Sequence, residues 1–246
     1  MLKYPLSTLL YIAKINIKDT IKDALRLKDN IDIRLSVTVK DKNGKIIKQH
    51  KQHSHSFLLN FLAILATLML NPYGTFNNYY YFTDTSGAWV SLDNTNTKAN
   101  VLLNMLDSAN DSIYGIVVGN GTSPPTPLDS DLENQIITGT GSGDLVYGAH
   151  SIIPTPGTSE ISSSQSTPQH GILPISGNTI SFTVSRTFQN ESGASITVSE
   201  VGIVTHSIIY NNVNNYILII HDLLSTAITI PNGGVMAITY TISVTT

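Results

Sequence analysis

From Thr179 onward the chain alternates apolar and polar residues between short turn sequences, and that pattern leaves few folds open to it. The segments Thr179–Phe188, Ser195–His206, Tyr216–His221 and Val235–Val244 read as strands. Turns at Asn190-Glu-Ser-Gly193, Asn211 to Asn215 and Pro231-Asn-Gly-Gly234 join them. Nearer the N-terminus, Ile31 to Lys40 alternates without a fault. Ile31, Ile33, Leu35, Val37 and Val39 take one face, and Asp32, Arg34, Ser36, Thr38 and Lys40 the other. Asp41-Lys42-Asn43-Gly44 then reads as a hairpin turn with an Asn-Gly pair tolerant of positive φ, and Ile46 to Gln52 as the returning strand. Further short strands are predicted over 79–83, 88–92, 112–118 and 145–153. At least eight strands at this spacing predict a mainly β protein: a C-terminal antiparallel β-sandwich or jelly roll, preceded by an α+β region.

Two stretches break the β pattern. Ser7 to Lys28 places Leu10, Ile17, Ile21 and Leu25 on one helical stripe. Phe57 to Leu70 is the most apolar run, yet as a helix it spans only about 21 Å, short of the roughly 30 Å of a bilayer core. Asn60, Thr67 and Asn71 put a polar stripe on it, so a buried helix is predicted and no membrane span. In Met1–Ala13 the apolar run is interrupted by Pro5, Ser7 and Thr8 and lacks a cleavage site of small residues. That favours a cytoplasmic protein, or one that leaves the cell inside a particle. The expected organisation is a basic anchoring region over 1–72 and a β-sandwich over 73–246. Within the latter, Pro154 to Gly171 is rich in Ser, Thr, Pro and Gly and reads as a loop.

Charge is sorted along the chain. Residues 1–56 hold twelve of the fourteen Lys and Arg against five acids, a net of +7. The remaining residues hold only Lys98 and Arg186 against twelve acids, a net of −10. Opposite signs in two parts of one chain point to two different neighbours. The residues expected to carry the contact are Lys14, Lys18, Lys22, Lys40, Lys42, Lys45, Lys48 and Lys51. Ten of the twelve basic residues are lysine, and the only aromatics among them are Tyr4 and Tyr11. Contact with nucleic acid would therefore run through phosphates, without base stacking and with strong salt dependence. An acidic protein surface fits the same charge. Charged residues make up only 13% of the whole chain, about half the usual share, so many copies could pack without repelling one another.

No residue pattern specifies catalysis or a cofactor. With no cysteine, a disulfide framework, a thiolate zinc site and a cysteine nucleophile are excluded. Gly139-Thr-Gly-Ser-Gly143 matches neither a phosphate-binding loop nor a nucleophile elbow, because its spacing is wrong and position 140 is Thr. His50, His53 and His55 sit among lysines that would repel a metal cation. Asp129, Asp131 and Glu133 alternate as calcium ligands do, but the twelve-residue loop is missing, and Asp129 or Ser130 fits a turn cap better. Glu200 would need a partner if it faces inward; Arg186, the one arginine after Arg34, is the candidate. The expectation is no enzyme, no metal and no cofactor.

The segment Gly119-Asn-Gly-Thr-Ser-Pro-Pro-Thr-Pro-Leu-Asp-Ser-Asp-Leu-Glu133 resembles one found in virion proteins of tailed phages and prophages. The run Phe188-x-Asn190-x-Ser192-Gly193, Val198-x-Glu200-Val201-Gly202, Asp222-Leu-Leu-Ser225, Ile230-Pro-Asn-Gly-Gly234 and Thr239-Tyr-Thr-Ile242 is similar to theirs too. The resemblance implies a non-enzymatic component of a virus particle (capsid-associated, turret, tail or fibre) that forms a homo-oligomer and contacts other virion proteins. Two alternatives remain open from the residues. One is a glycan or cell-surface adhesin using Trp89, Tyr79 to Tyr81 and loop 211–215. The other is an extracellular filament subunit whose terminal strand completes a neighbour's sheet.

Overall fold

The structure, a computed structural model, describes residues 31–54, 57–70, 80–92, 104–154, 175–176, 179–209 and 213–245. The predicted helix Ser7–Lys28, with Lys14, Lys18 and Lys22, lies outside them, as does most of the predicted loop 154–171. The chain is mainly β, in antiparallel sheets. Its strands are β1 (Ile31–Lys40), β2 (Ile46–His53), β3 (Tyr80–Thr83), β4 (Trp89–Leu92), β5 (Gly115–Gly119), β6 (Val146–Tyr147), β7 (Ser151–Pro154), β8 (Ile175–Ser176), β9 (Thr179–Gln189), β10 (Ile196–Ile209), β11 (Val213–Ile230) and β12 (Val235–Thr245). Helix α1 (Leu59–Leu70) follows β2.

The largest sheet runs β2-β1-β12-β9-β6, with β7 and β8 also pairing with β9. A three-stranded sheet runs β11-β10-β5, and β3 and β4 form a separate hairpin. Contacts divide the chain into two units: Met1–Ile33, Pro154–Thr183 and Thr241–Thr246 in one, Arg34–Ile153 and Val184–Tyr240 in the other. In the first, β8 pairs with the start of β9 through Ile175 and Ile180, and the Ser243 hydroxyl donates to the Asp32 carbonyl at 3.2 Å. The second holds β2, β5, β6, β10 and β11 with most of β1 and parts of β9 and β12.

Alternation does in β1 what the sequence predicts. Leu35, Val37 and Val39 are buried, and Arg34 and Lys40 are exposed. The turn to β2 is closed by Asp41, whose carboxylate accepts the N–H groups of Asn43 and Lys45 at 2.9 and 3.0 Å. Only Gly44 needs positive φ there (79°). The buried face of the large sheet reaches the smaller one: the Tyr240 hydroxyl donates to Asp222 at 2.9 Å, and the Gln52 amide donates to the Leu223 carbonyl at 3.1 Å. Along the free edge of β11, Phe57 bridges Ile220 and Leu58 N–H donates to the Ile219 carbonyl, which brings α1 against β11 with Leu58 and Ile64 buried. Asn60 is the polar stripe put to use: its amide donates to the carbonyls of Thr83 and Leu218, and its oxygen accepts Thr83 N–H. A sheet covered on both faces reads as continuous apolar sequence rather than alternation. Gly115–Gly119 and Ile217 to Ile220 are such runs, and both are buried throughout.

Three predicted strands differ from the observed ones. Residues 112–114 stay outside β5, because the Asp111 carboxylate takes Ile113 N–H and Gly115 turns the chain at φ 81°. The predicted strand 145–153 is cut into β6 and β7 at 148–150, where backbone groups bond elsewhere. Strand β11 extends through His221 and Asp222 to Ile230, well past its predicted end. Its register against β10 jumps from Val198↔Ile228 to Glu200↔Leu223, and the residues 225–227 thrown out by this bulge are exposed.

Candidate functional site

Strand β9 alternates, so Arg186 points inward with Val184 and Phe188, and it is only 1% exposed. A guanidinium has five N–H donors in a fixed fork, and all five meet backbone carbonyls. Nε donates to Gly148, Nη1 to Tyr114 and Ile116, and Nη2 to Ser108 and Asp111, with distances of 2.9 to 3.1 Å for the first four. Carbonyls satisfy donors but do not neutralise charge. That falls to Asp107, 3.8 Å away and buried, while the Tyr147 ring lies 4.7 Å beneath the guanidinium carbon. Burial pushes the Asp107 carboxyl up, and Arg186 pulls against that. His150 completes the cluster. Its Nε2 accepts Ile116 N–H at 2.8 Å, and its Nδ1 faces the Asp107 backbone, 3.0 Å from the N–H and 3.1 Å from the carbonyl. Burial, then the Arg186 charge, pushes His150 down to about 4, so the ring is neutral. A side chain at Gly115 would place its Cβ 2.1 Å from His150 Cε1. The predicted Arg186–Glu200 pair is not formed: Arg186 lies on β9 of the large sheet and Glu200 on β10 of the small one.

Glu200 has a different set of partners. It is 1% exposed, and its Oε1 accepts the N–H groups of Gly121 and Asn134 at 2.9 and 2.8 Å. Its Oε2 accepts Glu133 N–H at 3.1 Å and meets His221 Nε2 at 3.0 Å. The other ring nitrogen, Nδ1, lies 2.7 Å from Asp129 Oδ2. Asp129 in turn accepts both the N–H and the hydroxyl of Thr126. Two carboxylates facing both nitrogens hold the imidazole as a cation. Burial works against that charge, but the bonds to Glu200 and Asp129 outweigh it and raise the His221 pKa. Burial likewise opposes ionisation of Glu200. The His221 bond and three backbone N–H groups overcome it and hold the carboxyl below its ordinary range. Asp129 is lowered too: burial is again the opposing effect, and Thr126 and His221 prevail.

The result is a latch over the proline-rich loop. Gly119 and Gly121 are glycines for space: a Cβ at either would come within 2.3 and 2.6 Å of Glu200 Oε1. Glu133 turns back to accept from Thr122 and Ser123. Leu132 is buried against Gly202, where a Cβ would meet its Cδ2 at 3.0 Å. The residues quoted above for their resemblance to virion proteins therefore converge: Gly119, Gly121, Asp129, Glu133, Glu200 and Gly202 build one structure. A second convergence joins the turns. Asn190 donates to Ala194 and Ile230, its backbone bonds Gly233 and Gly234, and Asn232 accepts Gly193 N–H.

Chemically, the latch has the acid–histidine half of a hydrolytic relay, with Glu200 standing where a nucleophile would. Both nitrogens of His221 are bound to carboxylates, so neither has a lone pair for proton abstraction. Asp129, Asp131 and Glu133 diverge: the first faces His221, the last its own loop, and Asp131 is exposed. Among the described residues no cluster of acid and imidazole side chains is arranged to hold a metal ion. His50 bonds Gln52, and His55 lies outside the described residues.

The latch has a signed pH dependence. His221 is raised, so its contribution is complete below about pH 6.5 and is lost as pH climbs through its folded value. Glu200 and Asp129 are lowered, so theirs is complete above roughly pH 4.3 and is lost as pH falls through their folded values. The stability gap between the protein and His221→Gln is expected to peak between these limits at about 1.5–3 kcal/mol, the value of charged hydrogen bonds. Urea unfolding across pH 3 to 10 measures it; a gap that widens steadily toward high pH would contradict a cationic His221.

The lysines sit elsewhere. Lys40, Lys42, Lys45, Lys48 and Lys51 are all exposed along the β1–β2 hairpin, and no ion pair among the described residues engages them. Arg34 and Lys51 share the outward face with Ser36, Thr38 and Lys40. Among the described residues no helix is long and apolar enough to cross a membrane. Comparison of the chain with protein-family models, with curated proteins and with solved structures returns no match.

Proposed function

We propose that this chain is a non-enzymatic structural component of a virus particle, working by assembly as a homo-oligomer within the virion. The supporting observation is how its charges are used. Arg186, Glu200 and His221 spend their bonding capacity inside the chain, while five free lysines crowd one exposed hairpin. A catalyst keeps an acid, base or nucleophile accessible to substrate; these groups are buried in service of loops. On this reading the two larger sheets form a β-sandwich, and the basic hairpin contacts an anionic neighbour, either another virion protein or nucleic-acid phosphates. The motif resemblance supports the virion setting. Sedimentation velocity of the purified full chain at low ionic strength is expected to show a discrete oligomer, and a monomer at every concentration would overturn the assembly reading.

A second reading, a glycan-binding module, has one observation in its favour. Trp89 on β4 is 77% exposed, and a large exposed aromatic suits stacking on a sugar ring. The other proposed contributors give less: Asn215 is buried and Tyr79 lies outside the described residues. Trp89→Ala is expected to leave oligomer size unchanged. Abolished binding on a glycan array by that variant would favour the adhesin instead.

A further inference from the structure

We infer that copies of this chain join head to tail, the basic tip of the β1–β2 hairpin of one copy seating on an acidic leucine patch of the next. The inference rests on the assembly reading and specifies its contact. Strand β2 ends the large sheet. At its start Ile46 and Ile47, which point to opposite faces, are 49% and 47% exposed. An edge strand with apolar side chains open on both faces is a docking element. Around it stand Lys42, Lys45 and Lys48, against the single acid Asp41.

The complementary surface is formed by the start of α1 and the loop beside it. Leu59 and Leu62, one turn apart on α1, are 47% and 44% exposed, and Leu128 is 76% exposed. Leu59 N–H donates to the Pro127 carbonyl at 2.9 Å, which brings the helix start beside the loop carrying Leu128. The exposed charge nearest to it is negative: Asp131 and Glu133, three and five residues from Leu128, are exposed, while Asp129 is taken up by His221.

The geometry selects between two ways of pairing. Symmetric pairing of one β2 edge with another would set lysines against lysines, and like charges across an interface cost several kcal/mol. Seating the basic apolar tip on the acidic leucine patch matches charge with charge and covers both sets of exposed side chains. Such a contact is heterologous, so it repeats from copy to copy into a ring or a filament.

The test is a charge swap in the full chain. A tip variant carries Lys42→Glu, Lys45→Glu and Lys48→Glu; a patch variant carries Leu128→Lys and Asp131→Lys. All five positions are exposed, and circular dichroism checks that both variants fold. Each alone is expected to self-associate at least about tenfold more weakly than wild type by light scattering, the consequence of like charges meeting. Mixed in equal amounts they are expected to re-associate, because each supplies the surface the other lacks. If wild type assembles and either variant does so equally well, the head-to-tail contact is wrong while the assembly reading stands. If wild type stays monomeric, the assembly reading itself fails. Co-sedimentation of monomeric wild type with duplex DNA, abolished in the tip variant, would assign the tip to phosphates and overturn the contact.

Discussion

Replacing Arg186 with leucine is expected to remove about 3–5 kcal/mol of stability, the usual consequence of taking one partner from a buried ion pair. Leucine fills part of the volume but leaves the buried Asp107 carboxylate without its cation. It also strands carbonyls of Ser108, Asp111, Tyr114, Ile116 and Gly148. Since a domain of this size has a net stability of only about 5–15 kcal/mol, the variant should sit near its folding limit. The melting temperature is expected to fall by about 10 °C or more. Arg186→Lys keeps the charge and loses the fork, so it should recover part of the loss and no more. Urea unfolding checks this through a lower midpoint at an unchanged slope. A loss under 1 kcal/mol for the leucine variant would mean that the loop 104–116 is held by something other than Arg186.

The second large effect is expected at Glu200. Alanine there removes the acceptor for Gly121, Glu133 and Asn134 N–H groups together and leaves His221 with Asp129 alone. Buried donors without acceptors cost about 1–3 kcal/mol each and do not add simply, so a total near 3–5 kcal/mol is expected. The damage should be local as well as global. Amide exchange over 119–136 is expected to accelerate ahead of that in β9 and β12. Glu133→Gln is the control: its carboxylate is exposed and bonds only its own loop, so it should leave the midpoint nearly unchanged. Equal exchange rates in the loop of Glu200→Ala and wild type would sink the latch.

Particular residues show how far the sequence carries. Strand β1 was legible to its last residue because only one of its faces is buried, so each inward position is apolar and each outward one polar. The hairpin lysines are exposed for another reason: Lys42 and Lys45 lie in the turn, and β2 is an edge strand open on both faces, with Lys48 opposite Val39 and Lys51 opposite Ser36. Strand β11 runs past its predicted end at His221, through two ionisable residues in a row that a half-exposed strand would not bury. Here both are buried, His221 between carboxylates and Asp222 under Tyr240, and neither partner is near in sequence. The predicted Arg186–Glu200 pair does not form for a physical reason: opposite charge does not decide the partner, because each group is satisfied mainly by backbone. All but one of those carbonyls and N–H groups come from loops, the exception being the Ile116 carbonyl on β5, and side-chain patterning carries no trace of them. The Gly119 and Gly121 spacing reads as turn chemistry, yet neither glycine has positive φ; both make room for Glu200. That reason becomes visible only once Glu200 is in place.

Tyr240 and Arg186 show the same division of labour on a larger scale. Apolar burial of Leu35, Val37, Ile203, Ile217 and their neighbours supplies most of the driving force, at roughly 25 cal/mol for each Å² removed from water. The buried polar groups add less net energy and act instead by fixing which loop meets which strand. Among the described residues the exposed surface includes the lysine-bearing β1–β2 hairpin and the leucines Leu59, Leu62 and Leu128.

Quantitative mass spectrometry of virus particles purified from the source tests the central claim most directly. The account predicts this chain in the particle fraction, in many copies per particle and in fixed ratio to the other virion proteins. Its recovery only from the soluble fraction of the cell, with none in washed particles, would contradict it.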